Sequence, residues 1–142
     1  MIVHGGWGGG WEWTAVARVL RKKGHDVFTP TLTGMGERAH LGGPGVGLAT
    51  HVEDVVAVLE LEDLHDVVLC GHSYGGMPVS GAADLAVERI ALIIYIDALM
   101  VKVRDGNQVR NKAAHLVVGV DVDGVKHVLG IWVQNTEGAK FS

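Results

Sequence analysis

The chain has 142 residues, enough for one domain with one core. At 48% hydrophobic and 20% charged residues it has a globular composition, not a disordered one. The net charge of −4, the single cysteine (Cys70) and the shortness of every apolar run argue against a nucleic-acid binder, a disulfide framework and a bilayer span.

Met1-Ile2-Val3 is a short apolar strand that enters the glycine-rich loop His4-Gly5-Gly6-Trp7-Gly8-Gly9-Gly10. A strand followed by a His-Gly-Gly loop is one half of an acyl-transfer site, since a loop amide can hold a developing oxyanion. Gly6 or Trp7 is the expected donor. No Gly-Lys-Ser/Thr follows, which disfavours a phosphate loop. Thr14 to Lys23 reads as a helix with Thr14 as N-cap, Val16, Val19 and Leu20 on one face, three cations in the last turn and Gly24 as the stop. Asp26-Val27-Phe28-Thr29, closed by Pro30, is predicted as the next strand, which makes a β-α-β unit and a parallel sheet.

Residues 31–50 form a long glycine-rich loop, expected to be functional or mobile and to pass the site mouth. Thr50-x-x-Glu53 reads as a capping box, followed by a helix to about Leu61 with Val52, Val55, Val56 and Leu59 inward. The chain is organised around what comes next. The run Val67-Val68-Leu69-Cys70 leads into Gly71-His72-Ser73-Tyr74-Gly75, and an alanine-rich helix continues to about Ala86. Strand, Gly-x-Ser-x-Gly and helix are the context of a nucleophile elbow, in which the serine sits on a tight turn with its hydroxyl above the sheet edge. Gly71 and Gly75 leave room for close backbone approach, and His72, before the serine, should point away from it. Tyr74 would give the second oxyanion amide. Tyr74, Trp7, Trp11 and Trp13 are candidates for an acyl pocket, although aromatic residues near such a turn more often pack the core. The continuous apolar run Ile90–Ile96 predicts a central parallel strand covered on both faces.

Residues 1–98 resemble an α/β-hydrolase of the small esterase type that includes plant methylesterases and hydroxynitrile lyases. The resemblance rests on separate blocks in order: His4–Trp7, Pro30–Arg38, Thr50–Val55, Gly71–Met77 and Tyr95–Ala98. It implies a Ser-His-Asp hydrolase of small carboxylic esters with Ser73 as nucleophile and neither metal nor organic cofactor. The required order is serine, then acid, then histidine. After Ser73 the only histidines are His115 and His127, both weak base candidates on predicted strands. The candidate acids are Asp84, Glu88, Asp97, Asp105, Asp121, Asp123 and Glu137, none in a block resembling the family's acid or base loops. Turnover is therefore expected to be impaired or absent.

Residues 99–142 read differently. Met100–Arg104, Ala114–Val122 and Lys126–Val133 predict three antiparallel strands, the last two joined at Asp123-Gly124. With Tyr95–Ala98 they resemble the start of the RNase H-like catalytic domain of a mutator-type insertion-sequence transposase. The blocks are Tyr95–Gly106, Arg110–Ala114, Gly119–Gly124, Val128–Val133 and Glu137–Phe141. That resemblance would make Asp97 a lone member of an acidic triad. The fold class expected is α/β: a truncated hydrolase-type parallel sheet with flanking helices (residues 1–98), then a three-stranded antiparallel meander (99–142). The charge divides in the same place, with 12 acidic and 6 basic residues before it and 4 and 6 after it. The whole reads as a fusion, and its alternative function is that of a non-catalytic fusion or a transposase relic. The expected surroundings are a cytoplasmic setting, a small ester ligand, no membrane, no nucleic acid, and self-association through any uncovered sheet edge.

Overall fold

The computed structural model describes residues 1–106 and 108–134. The chain forms one five-stranded sheet. Its strands are β1 (Ile2–Val3), β2 (Val67–His72), β3 (Ile90–Asp105), β4 (Gln108–Val120) and β5 (Lys126–Gln134), neighbours in that order. The first three are parallel, with Ile2 opposite Cys70 and Cys70 opposite Ile94. β4 and β5 run antiparallel to their neighbours. Three helices flank the sheet: α1 (Thr14–Lys22), α2 (Leu48–Leu61) and α3 (Gly76–Leu85).

α1 follows a 3-10 turn over Gly10–Trp13, so Trp13 rather than Thr14 holds the N-cap position. It ends in a Schellman motif: Gly24 is left-handed at φ +89, and the N–H groups of Gly24 and His25 donate to Arg21 and Leu20. Ala17 is buried, with Trp13, Val16 and Leu20 beside it against Ile2 and Val27. Val19, expected inward, is 55% exposed, because the buried stripe runs through 13, 16, 17 and 20.

The strand expected over Asp26–Thr29 does not form. Ile2 N–H donates to Phe28 O at 2.8 Å, but a two-residue β1 offers too few groups for a ladder. α2 begins at Leu48, two residues before the expected cap, and Thr50 Oγ1 accepts the Gly47 N–H at 3.5 Å from inside the first turn. His51, Val55 and Leu59 form its buried stripe, with Val52 and Val56 on the flanks.

The main core lies between the sheet and the pair α2 and α3. Val3 and Leu69 pack there with Leu32, Val55, Leu59 and Val79, all fully buried. Among the described residues α1 is the one helix that covers the other face. Val68 is 43% exposed, and an open groove of about 460 Å³ runs past Ile2, Leu20, Val27, Val68, Cys70 and Ile94. The expectation that the Ile90–Ile96 strand is covered on both faces is therefore corrected: only one face carries two helices.

The parallel strand and the first meander strand, read separately in the sequence, are one 16-residue strand. β4 pairs along β3 from Asp105 opposite Gln108 to Ile93 opposite Val120, so the meander covers the edge of the parallel strands. The outer strand is now β5, where Val128, Ile131, Trp132 and Val133 are exposed. A register shift between Val117 and Val118 marks its pairing with β4. Among the described residues no helix is long and apolar enough to cross a membrane.

Candidate active site

β2 ends at His72, and the chain turns over Ser73–Gly75 before α3 begins at Gly76. Ser73 takes φ +50, a left-handed conformation that costs a non-glycine residue about 1–2 kcal/mol. Such strain persists only where the surroundings fix it, and the two glycines show how. A Cβ on Gly71 would lie 2.7 Å from Gly75 O, Gly76 Cα and Val79 Cγ2. One on Gly75 would lie 2.6 Å from the carbonyl oxygens of Val3 and His4. The strand-to-helix turn is thus wedged against β1, and Ser73 stays exposed at the C-terminal edge of the parallel strands.

The loop after β1 lies on this turn. A Cβ on Gly5 would sit 3.4 Å from Ser73 Cβ, and one on Gly6 would sit 3.7 Å from Tyr74 Cβ. Gly5 therefore borders the serine, and Gly6 the tyrosine that follows it. Trp7 is also left-handed, at φ +66, with its indole 96% exposed. His4 is wholly buried and fixes the loop: its Nδ1–H donates to Gly5 O at 2.7 Å, and its Nε2 accepts the Leu32 N–H at 3.0 Å. One neutral tautomer satisfies both bonds.

His72 points to the opposite sheet face, edge-on to Trp13 at 5.6 Å. Burial lowers its pKa from the ordinary value. Trp11 is exposed and Trp13 is turned toward His72, so the tryptophans do not gather into a pocket with Trp7.

Hydrogen bonds tie the long loop to α2 and to itself. Thr33 donates its N–H and its hydroxyl to Asp54 of α2, at 2.6 and 2.8 Å. Arg38 donates to Thr31 O at 2.7 Å and lies 3.6 Å from Asp54. Thr31 Oγ1 accepts from Gly10 N and donates to Glu37, whose carboxyl that hydrogen bond holds below its usual range.

His51 is the feature that sequence reading missed. It is 5% exposed and joins α2, the loop and the elbow: its Nδ1 lies 2.7 Å from Tyr74 Oη and its Nε2 lies 2.9 Å from Thr33 O. The rings of His51 and Tyr74 meet edge-on. The signal was a polar residue four positions before Val55 on the buried stripe of α2.

No histidine is hydrogen-bonded to Ser73 among the described residues. His115 lies on β4 opposite Ala98 and Trp132, with its Nε2 buried and unpartnered among those residues. His127 lies on β5, three strands from β2 and roughly 14 Å across the sheet. Its Nε2 pairs with Asp121 at 3.0 Å, which holds that carboxyl below its usual range. Asp121 also accepts the N–H groups of Asp123 and Val125, so the pair closes the β4–β5 hairpin. Of the other acids, Asp84, Glu88, Asp97 and Asp123 are exposed, and Asp97 accepts the N–H of Ala98. Glu137 lies outside the described residues, as does the Glu137–Phe141 block. Among the described residues no three metal-ligating side chains converge, at Asp97 or elsewhere.

Comparison with known proteins agrees with this geometry. A carbendazim hydrolyzing esterase of a Nocardioides strain is 51% identical over 100 residues, 70% of this chain and 41% of that protein. Methylesterase 9 of Arabidopsis thaliana is 33% identical over 101 residues, again 70% of this chain and 40% of its own length. A solved extracellular alpha/beta-hydrolase from a Paenibacillus species, described as sharing structural and functional homology with tobacco salicylic acid binding protein 2, superimposes with a TM-score of 0.62. It is 29% identical and covers 71% of this chain and 41% of its own. The chain thus spans less than half the length of these relatives. A stretch of 49 residues, 34% of the chain and overlapping the esterase-like part, is 55% identical to a probable insertion-sequence transposase of Corynebacterium diphtheriae over 14% of that protein. The profile of the alpha/beta hydrolase family matches residues 1–134, and the chain belongs to that family.

Proposed function

We propose that this chain carries the nucleophile half of a serine hydrolase site for small carboxylic esters. Ser73 Oγ attacks the ester carbonyl, and the N–H groups of Tyr74 and of Gly6 or Trp7 receive the oxyanion. The observation that carries this reading is the left-handed Ser73, wedged between a strand and a helix by two glycines whose Cβ positions are occupied. The names of the esterase relatives support the ester class. A base must take the serine proton, and an acid must orient the base. Neither is bonded into place among the described residues, so we expect turnover of the chain to be impaired, by as much as about a million-fold relative to a complete triad. The test is intact-mass detection of fluorophosphonate labelling. One adduct per chain, lost in Ser73→Ala, supports the reading. A folded protein that takes no label leaves a remnant site.

The second reading is a fusion whose tail derives from a transposase, favoured by the similarity to transposases over 49 residues. With Asp97 alone and a tail charge of only +2, DNA binding is not expected, and salt-dependent binding of a duplex would revive it. The lone thiol Cys70, its pKa raised by burial, fits a reducing, cytoplasmic setting. The apolar outer strand β5 is the edge at which self-association would occur.

A further inference from the structure

We infer that the outer part of the sheet binds a second copy of this chain, face to face, through the side of β3, β4 and β5 that continues the surface beneath α3. No residue of the elbow takes part, so this contact stands or falls apart from the ester-site reading. Strand alternation sets the face. The Tyr95 hydroxyl is hydrogen-bonded to Ser80 of α3 at 2.7 Å, so the odd-numbered residues of β3 point to the side that α3 covers. Beyond Tyr95 these are Asp97, Leu99 and Val101, which alternate with Ala98, Met100 and Lys102 on the opposite side. Residues directly across a ladder share a face. The register therefore sets Leu116 and Ile131 beside Asp97, Ala114 and Val133 beside Leu99, and Lys112 beside Val101.

Three rows with this much apolar surface are what a covered sheet face requires, yet Leu99, Ile131 and Val133 are each more than half exposed. Such a patch reaches the few hundred Å² at which an exposed apolar surface marks an interaction site. Laid on its own copy it would bury about 1,000 Å² in total, the lower bound for a specific interface. The dimer is therefore reversible, and dilute protein is monomeric. The charges favour a second copy as the occupant. Within the three rows they are Asp97 in the first and Lys112 in the third. A two-fold axis crossing the strands at the Leu99–Ala114–Val133 row exchanges the first and third rows and keeps each strand over its own counterpart. Leu99, Ala114 and Val133 then meet themselves, and Asp97 of each copy lies beside Lys112 of the other.

The experiment is sedimentation equilibrium of the full chain from about 1 to 500 µM, the range in which an interface of this size associates. Circular dichroism checks the fold of each variant. The expected result is a reversible monomer–dimer equilibrium. Leu99→Asp and Ile131→Asp, at the two margins of the patch, should each abolish it, whereas pairing at one strand edge would answer to one of them alone. Asp97→Lys and Lys112→Asp should each weaken the dimer about tenfold, since the symmetry applies every change twice. The double variant Asp97→Lys/Lys112→Asp should restore it, which a merely structural effect of either change would not do. If an aspartate variant does not fold, the charge exchange decides alone. A monomer at every concentration, a dimer that survives Leu99→Asp or Ile131→Asp, or a double variant no better than the single changes would overturn the inference. Fluorophosphonate labelling of Ser73 is unaffected by any of these outcomes, so the nucleophile reading is judged separately.

Discussion

One sheet holds two regions that use apolar residues in opposite ways. On the face of β1 and β2 beneath α2 and α3 they are buried, with Val3 and Leu69 wholly out of water. Along β5 they face solvent, with Val128 66% and Ile131 63% exposed. Polar groups do not divide in this way. His4, His51, Thr31 and Thr33 each find defined partners in the first region. Trp13 Nε1 and His72 Nδ1 there, like His115 Nε2 in the second, are buried without one among the described residues. Side-chain packing supports the helix-covered half, whereas backbone ladders carry the meander.

The sharpest way to break this comparison is at the elbow. Ser73→Ala should remove the fluorophosphonate adduct entirely, whereas Ala at His115 or His127 should leave labelling intact, as read by intact mass. Loss of label in His115→Ala would mean that the meander supplies the base and that the two regions share one site.

Stability comes next. Leu69→Ala should cost about 2–5 kcal/mol in denaturant unfolding, through lost transfer energy and a cavity. Ile131→Ala should stay within about 0.5 kcal/mol, as an exposed substitution does. Equal losses would mean that β5 is buried in solution, against another copy of the chain or a partner.

The pH response is a smaller effect. Burial lowers the pKa of His72, so the unfolded chain binds its proton more readily than the folded one. The stability contribution is present above the unfolded value of about 6.5 and is lost as pH falls from there toward the lowered folded value. Thermal melts between pH 7.5 and 5.5 should show that loss, reduced in His72→Gln.

The smallest effect belongs to the hairpin. Asp121→Asn should lower the melting temperature slightly. The wild-type contribution should fade below the ordinary carboxyl value of 3.8, since the folded pKa is depressed below that point. A larger loss from Asp121→Asn than from Leu69→Ala would invert the comparison.

What the sequence made legible follows the same division. The turn at Ser73 was readable because Gly71 and Gly75 stand where backbone contacts leave no room for a side chain. The end of α1 was readable because Gly24 and three cations act within one turn. The strand at Asp26–Thr29 was not, because its formation depends on how many residues of β1 pair with it, a tertiary fact. Nor was the union of two strands into β3. Apolar residues to Ile96 and alternation from Met100 look like two elements, and only the partner running along both makes them one. His51 escaped notice because a polar residue on the stripe of Val55 and Leu59 does not by itself name its partners. Its meaning appears only when Tyr74 and Thr33 arrive from elsewhere.

The length of β3 has a further consequence. Its 16 residues span roughly 50 Å, with β2 parallel on one edge from Ile90 to Ile96 and β4 antiparallel on the other from Ile93 to Asp105. The junction is made by peptide groups, which are the same in every protein. A replacement helix would have had to match the shape of the face it covers. A replacement strand needs only extended backbone and a compatible register. The edge of β3 is therefore a place where a lineage can exchange one neighbour for an unrelated one and keep an ordered seam.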